Sequence, residues 1–229
     1  MNILALDTSM GACSAAVLRA GGKASRLASL QIDMPRGHAE ALMPMVDEVL
    51  AEADIEARDV DLIAATRGPG SFTGVRIAIA AARGLALVTR AKLFGTDSLS
   101  VMARASLDAG AEPKGPFAVA VDARRGMIYF GLYDDRAKRL DGPLLISPED
   151  AVGHLAEDAR IAVGSGAALL AKAAAAKGRA MSATLESLQP SAAALAQIAF
   201  ESGETCEILR PLYLRPPDAK PQAPALERC

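Results

Sequence analysis

Residues 3–17 read ILALDTSMGACSAAV, and residues 118–132 read AVAVDARRGMIYFGL. Each opens with four apolar residues, reaches an aspartate (Asp7, Asp122) and has a glycine four positions later (Gly11, Gly126). Each then alternates apolar side chains: Cys13, Ala15 and Val17 in one, Ile128, Phe130 and Leu132 in the other. An apolar run ending at a turn residue is the pattern of a buried strand, and alternation after the turn is that of its return strand. Two unrelated hairpins would also carry Asp and Gly at their turns. The match spans a whole strand–turn–strand unit, however, which favours an internal duplication.

Two lobes opening in this way follow the plan of the actin, sugar kinase and Hsp70 superfamily, an α/β, ribonuclease H-like fold with duplicated mixed-sheet lobes. There the two hairpins face each other across a cleft and hold the phosphates of ATP. The chain divides accordingly into an N-terminal lobe, 1–108, and a C-terminal lobe, 117–205, joined by a Gly- and Pro-bearing linker over 109–116. Residues 206–229 form a tail expected to pack back in part, with a disordered Pro-rich end. In the first lobe, strands are expected over 23–32, 61–66 and 93–96, and helices over 38–53, 73–89 and 98–107. In the second, strands are expected over 117–133, 140–146 and 160–163, and helices from Ser147-Pro148, over 167–177 and over 191–202. Pro44 falls inside the first helical pattern and is expected to kink it.

Composition narrows the function. A net charge of −2 offers no positive excess for gripping an RNA backbone. With 3% aromatic residues and no Trp there is little to stack bases on, so any contact with RNA is expected to be indirect. The three cysteines, Cys13, Cys206 and Cys229, have no paired spacing, which argues against a zinc site or disulfide framework and fits a reducing cytosol. The start, MNILALDTS, is a poor signal peptide, and Arg, Gly or Asp interrupt every long apolar run, so a cytoplasmic protein with no membrane contact is expected.

Asp7, Thr8 and Ser9 end the first strand and are expected at the edge of a cleft. Either they organise a phosphate and its metal, or they satisfy a tight turn through local bonds. Gly68, Gly70 and Ser71 join a strand to a helix start, where backbone amides can meet an anion. The segment is not a P-loop, and a helix-capping reading of Ser71 or Thr73 fits it equally well. With Asp122 these residues outline a vestigial nucleotide cleft. His38 and His154 are the only histidines, and no zinc-protease or Ser-His-Asp pattern is present.

The helix over 73–89 is apolar nearly all round, its only charges being Arg76 and Arg83, seven apart and hence on one stripe. Such a helix is buried on more than one side, inside the monomer or against a partner. The helix before it carries Ala41, Met43 and Met45 beside its core stripe of Leu42, Val46, Val49 and Leu50, more apolar surface than one core needs. The partner interface is therefore favoured.

LALDTS with its CSAAV return strand, HAEALMPMVDEVL, GPGSFTGVRIAIAAARGLAL, VDARRGMIY and PLYLRP together resemble the TsaB (YeaZ) family, in the family's order and over most of the chain. The resemblance implies an accessory, non-catalytic subunit. It would pair with the catalytic paralogue TsaD, which places threonylcarbamoyl on N6 of adenosine 37 in tRNAs reading codons that begin with A. It also implies docking of the ATPase TsaE on the heterodimer and indirect contact with tRNA. The helix-interface reading does not separate a heterodimer from a homodimer formed when the chain is alone. TsaD-like enzymes carry a metal-binding His-x-x-x-His where this chain reads Gly95 to Ala103 without histidine. ATP and metal thus belong to the partners, and no cofactor or metal is expected here. Helix position and the likeness together select His38, Ala41, Leu42, Met45, Val75, Arg76, Ala78, Ile79, Ala82 and Arg83 as the partner-binding face. Charges at Ala78 and Ile79 are expected to abolish pairing while sparing the fold. The alternative is an ATP-binding phosphotransferase or hydrolase of the same fold, resting on Asp7 and Asp122.

Overall fold

A computed structural model describes residues 1–21 and 25–215. Its first apolar runs become β1 (Asn2–Asp7) and β2 (Ala12–Arg19), buried along almost their whole length. Such continuous burial requires cover on both faces of a sheet. After β3 (Arg26–Asp33) and α1 (His38–Glu52) come β4 (Leu62–Thr66), α2 (Phe72–Thr89), β5 (Lys92–Thr96) and α3 (Ser98–Asp108). The strands form one sheet in the order β3-β2-β1-β4-β5, with β1, β4 and β5 parallel and β2 antiparallel to both β1 and β3.

The second half repeats the plan. It comprises β6 (Phe117–Asp122), β7 (Ile128–Tyr133), β8 (Arg139–Ile146), the short α4 (Pro148–Ala151), β9 (Ile161–Val163), α5 (Ala167–Ala176), β10 (Ser182–Thr184) and α6 (Ala192–Ser202). Its sheet runs β10-β9-β6-β7-β8, the same order read from the other end. The duplicated two-lobed α/β fold is thus present. The three-residue β10 was too short to show a period in the sequence. Of the third strand expected over 23–32, residues 23 and 24 lie outside the described residues, as does the tail end expected to be disordered.

The duplication is not register-perfect. Asp7 pairs with Ser14, whereas Asp122 pairs with Ile128, so the second loop is one residue shorter. On the face covered by α1 and α2, Leu4 and Leu6 pack with Cys13, Ala15 and Val17. On the equivalent face of the second lobe, under α4 and α5, Ala118 and Ala120 pack with Ile128, Phe130 and Leu132. Leu6 therefore corresponds to Ala120, and Asp122 takes the place of Thr8 rather than Asp7. A one-residue slip turns a side chain to the other face, so the two aspartates expected to match leave opposite faces of their sheets.

The helix expected to kink at Pro44 is continuous from His38 to Glu52. Pro44 and Glu40 both lie on its solvent side, where water can take the carbonyl that proline leaves without a donor. The 117–205 unit is not self-contained. Its last helix, α6, packs on β1, β2 and α3, burying Ile3, Ala5, Ala16 and Leu18 against Ala192, Leu195 and Ala199. The N–H of Ala192 donates to Ser14 Oγ at 3.0 Å.

Candidate functional site

Around α2, one stripe is buried: Gly74, Val75, Ala78, Ile79 and Ala82, packed into the core of the first lobe. These residues recur at the spacing of a single helix face. The other side is open. Phe72, Arg76, Ala80, Arg83, Gly84, Leu87 and Val88 are exposed, with Leu87 and Val88 each at 84%. By length and composition alone the helix could cross a membrane, though Arg76 and Arg83 interrupt its apolar run, and 28% of it is buried. The fold uses its buried stripe to cover the sheet.

The expected partner face divides on this geometry. Arg76 and Arg83 are exposed, and His38 and Ala41 are half-buried. Leu42, Met45, Val75, Ala78, Ile79 and Ala82 are all buried in the core of the chain itself. No polar face marked which side of α2 meets the sheet, so the sequence reading placed the interface on the packed side. The arginines were the usable signal: steps of four from Arg76 and Arg83 land on Ala80, Gly84 and Leu87, all on the open side. His38 Nε2 lies 3.1 Å from the Met10 carbonyl.

The turn after β1 is likewise not where it was expected. Asp7, Thr8 and Ser9 are fully buried, not at a cleft edge. The Ser9 hydroxyl donates to Asp7 Oδ2 at 2.8 Å, and the Thr66 hydroxyl donates to the same oxygen. Burial raises the Asp7 carboxyl to about 6 despite those bonds. Thr8 is locked to α2: its hydroxyl donates to the Gly74 carbonyl and accepts from the Ala78 amide. Glycines 70 and 74 permit the approach, since a Cβ on either would overlap the Ser9 or Thr8 carbonyl oxygen. At the helix start, the Ser71 hydroxyl accepts from the Gly74 amide at 2.9 Å, and the Ser71 amide donates to the Ser9 carbonyl. Ser71 thus caps the helix, as the capping reading of this segment expected.

A cleft of about 450 Å³ does lie between the lobes, lined by Gly70, Ser71 and Asp122 with Gly11, Arg124, Ser165 and Gln189 among its walls. Asp7, Thr8, Ser9 and Gly68 do not line it. Asp122 Oδ1 accepts from the Arg124 amide at 2.8 Å, and its other oxygen is 3.4 Å from the Arg124 guanidinium. Asp97 caps α3 by accepting from the Ser100 amide and hydroxyl. Its carboxylate, 4% exposed, also takes Arg139 of β8 at 2.8 Å, tying the lobes together. Among the described residues no group of three or more His, Cys, Asp or Glu is placed to hold a metal.

Residues 33–218 match the family model of TsaD, the tRNA N6-adenosine threonylcarbamoyltransferase. The Haemophilus influenzae tRNA threonylcarbamoyladenosine biosynthesis protein TsaB is 34% identical over 177 residues, 72% of each chain. YeaZ from Pseudomonas aeruginosa superposes with a TM-score of 0.74 at 34% identity, covering 93% of this chain and 99% of its own. The chain belongs to the TsaB/YeaZ family. An uncharacterized Mycobacterium tuberculosis protein is also similar, 32% identical over 96% of this chain and 95% of its own length. The agreement with YeaZ covers both lobes, so the two-sheet architecture is the family's.

Proposed function

We propose that the chain is a non-catalytic subunit of the tRNA threonylcarbamoylation machinery, acting by pairing with the catalytic paralogue TsaD. The open face of α2 carries this reading. An apolar helix with 28% of its residues buried leaves a contiguous apolar surface whose exposure is costly unless a partner covers it. Arginine at its edge and apolar residues along its centre are the make-up of a protein interface. Family membership supports TsaD as the occupant. TsaE would dock on the pair, tRNA contact would be indirect, and the subunit itself would need no cofactor or metal. The cytosol is the compartment this role requires. A phosphotransferase would need a first-hairpin carboxylate in the cleft, and the burial of Asp7 speaks against it.

The test is reconstitution. Matching TsaD, TsaE and the synthase that makes threonylcarbamoyl-AMP are combined with threonine, bicarbonate, ATP and unmodified tRNA, with and without this chain. Threonylcarbamoyladenosine is read by nucleoside mass spectrometry. Product only when this chain and TsaD are both present is the expected result. Product from this chain alone with threonylcarbamoyl-AMP and tRNA, or undiminished product without it, overturns the proposal.

A further inference from the structure

The PLYLRP segment begins at Pro211, after α6. From the bridge between Cys206 and Leu93 the chain turns back over the first lobe as a strap. Leu209 is fully buried in that lobe's core. The Leu212 amide donates to the Arg67 carbonyl at 2.6 Å, and Arg67 Nε donates to the Arg210 carbonyl at 2.9 Å. Gly95 lets the strap pass, since a Cβ there would overlap the side chains of Leu209 and Arg67. Arg215 then reaches the second lobe, donating through Nη2 to the Ala123 carbonyl at 3.0 Å.

On its way the strap takes hold of both charges of α2. Tyr213 stacks on Phe72, with ring centroids 5.4 Å apart and planes inclined by 24°. The Arg76 guanidinium lies 3.6 Å over the Phe72 ring and 5.6 Å from that of Tyr213, and its Nε donates to the Tyr213 hydroxyl at 2.7 Å. Arg83 donates through Nη2 to the Leu209 carbonyl. Yet Phe72 is 51% and Tyr213 44% exposed. An arginine held this way has surrendered its rotamer freedom at folding rather than at docking. With no Asp or Glu on α2 to pair with it, a guanidinium fixed in this way suits a carboxylate on a docking protein.

We infer that Tyr213 is a positioning residue for partner docking: it presets Arg76 on the open face of α2 to receive an acidic side chain of the catalytic partner. This rests on the reading of α2 as the TsaD-binding face. Affinity for TsaD is measured by titration calorimetry on the full chain and on Tyr213→Phe, Tyr213→Ala, Arg76→Met and the Arg76→Met/Tyr213→Phe pair, each with a thermal melt. Tyr213→Phe keeps the stack and removes only the bond to Arg76, so binding weakens about threefold with an unchanged melt. Tyr213→Ala weakens it about tenfold or more. In the Arg76→Met background Tyr213→Phe adds nothing, because Tyr213 acts through Arg76. Wild type and Tyr213→Phe binding alike overturns the inference, as does an equal loss in the Arg76→Met background. If Tyr213→Ala fails to fold, the Phe variant and the cycle decide. A wild-type chain that does not bind TsaD overturns the docking reading itself, a result distinct from the other two.

Discussion

Thr8 and Gly74 are in direct backbone contact: the Thr8 hydroxyl donates to the Gly74 carbonyl at 2.6 Å, and the Thr8 carbonyl lies where a Gly74 side chain would begin. The end of β1 and the first turn of α2 thus behave as one rigid piece. This contact holds the orientation of α2 and therefore of its open face.

Gly74→Ala should force that contact apart and lower stability by about 1–3 kcal/mol, the usual cost of overpacking. Guanidinium denaturation of the two chains checks it; superimposable curves would show that the contact is slack.

The buried Asp7 makes stability depend on pH. Its carboxyl stands at about 6 when folded, against 3.8 ordinarily, so between those values the folded chain holds the proton more tightly than the unfolded one. Stability therefore falls as pH rises through this window, by up to about 3 kcal/mol once the carboxyl is ionised. Asp7→Asn keeps an acceptor for Ser9 and Thr66 without the charge. It should be more stable than wild type at pH 7.5, with the advantage shrinking toward pH 4. Denaturation midpoints for both chains at the two pH values decide this, and a pH-independent difference would refute it.

The two faces of α2 should respond oppositely to charge. Ala78→Asp and Ile79→Lys bury an unpaired charge in the core and should prevent folding, at a cost above about 4 kcal/mol. They cannot serve as the fold-sparing interface probes that the sequence reading expected, because both side chains are buried in the core. Ala80→Glu and Gly84→Glu point away from the core; nothing lies near a Cβ at position 84, and leaving glycine favours the helix by about 0.5 kcal/mol. These variants should melt like wild type and fail to co-elute with TsaD. Co-elution would place the interface elsewhere.

Removing Arg139 should loosen the lobes. Arg139→Ala removes the cation from the nearly buried Asp97 carboxylate, at an expected cost of about 1–2 kcal/mol because the arginine is half exposed. Hydrogen exchange at β8 and at the start of α3 should speed up together. Unchanged exchange at both would mean that the pair does not couple the lobes.

The fold was largely readable because its signals are local. Apolar runs such as 3–6 and 62–65 become fully covered strands, and the hairpin repeat exposed the duplication before any contact was known. What could not be read depends on neighbours remote in sequence. The side chains of Ala78 and Ala80 are identical, and only packing against the sheet separates a core position from a surface one. The slip between Asp7 and Asp122 is invisible because both turns carry Gly at the same spacing, while the pairing itself differs by a residue. Burial of the Asp7–Ser9 turn depends on the close approach of Gly70 and Gly74, a contact made across some sixty residues of chain.

The packing of α6 on the first sheet has a consequence for biosynthesis. Ile3, Ala5, Ala16 and Leu18 leave the ribosome well before residues 192–199, which cover them. Contacts this far apart along the chain close slowly, and the nascent first lobe holds a bare apolar sheet face until residues 192–199 are made. A chain stopped before residue 190 would keep that face exposed permanently. Such a fragment should aggregate rather than survive as an independent domain.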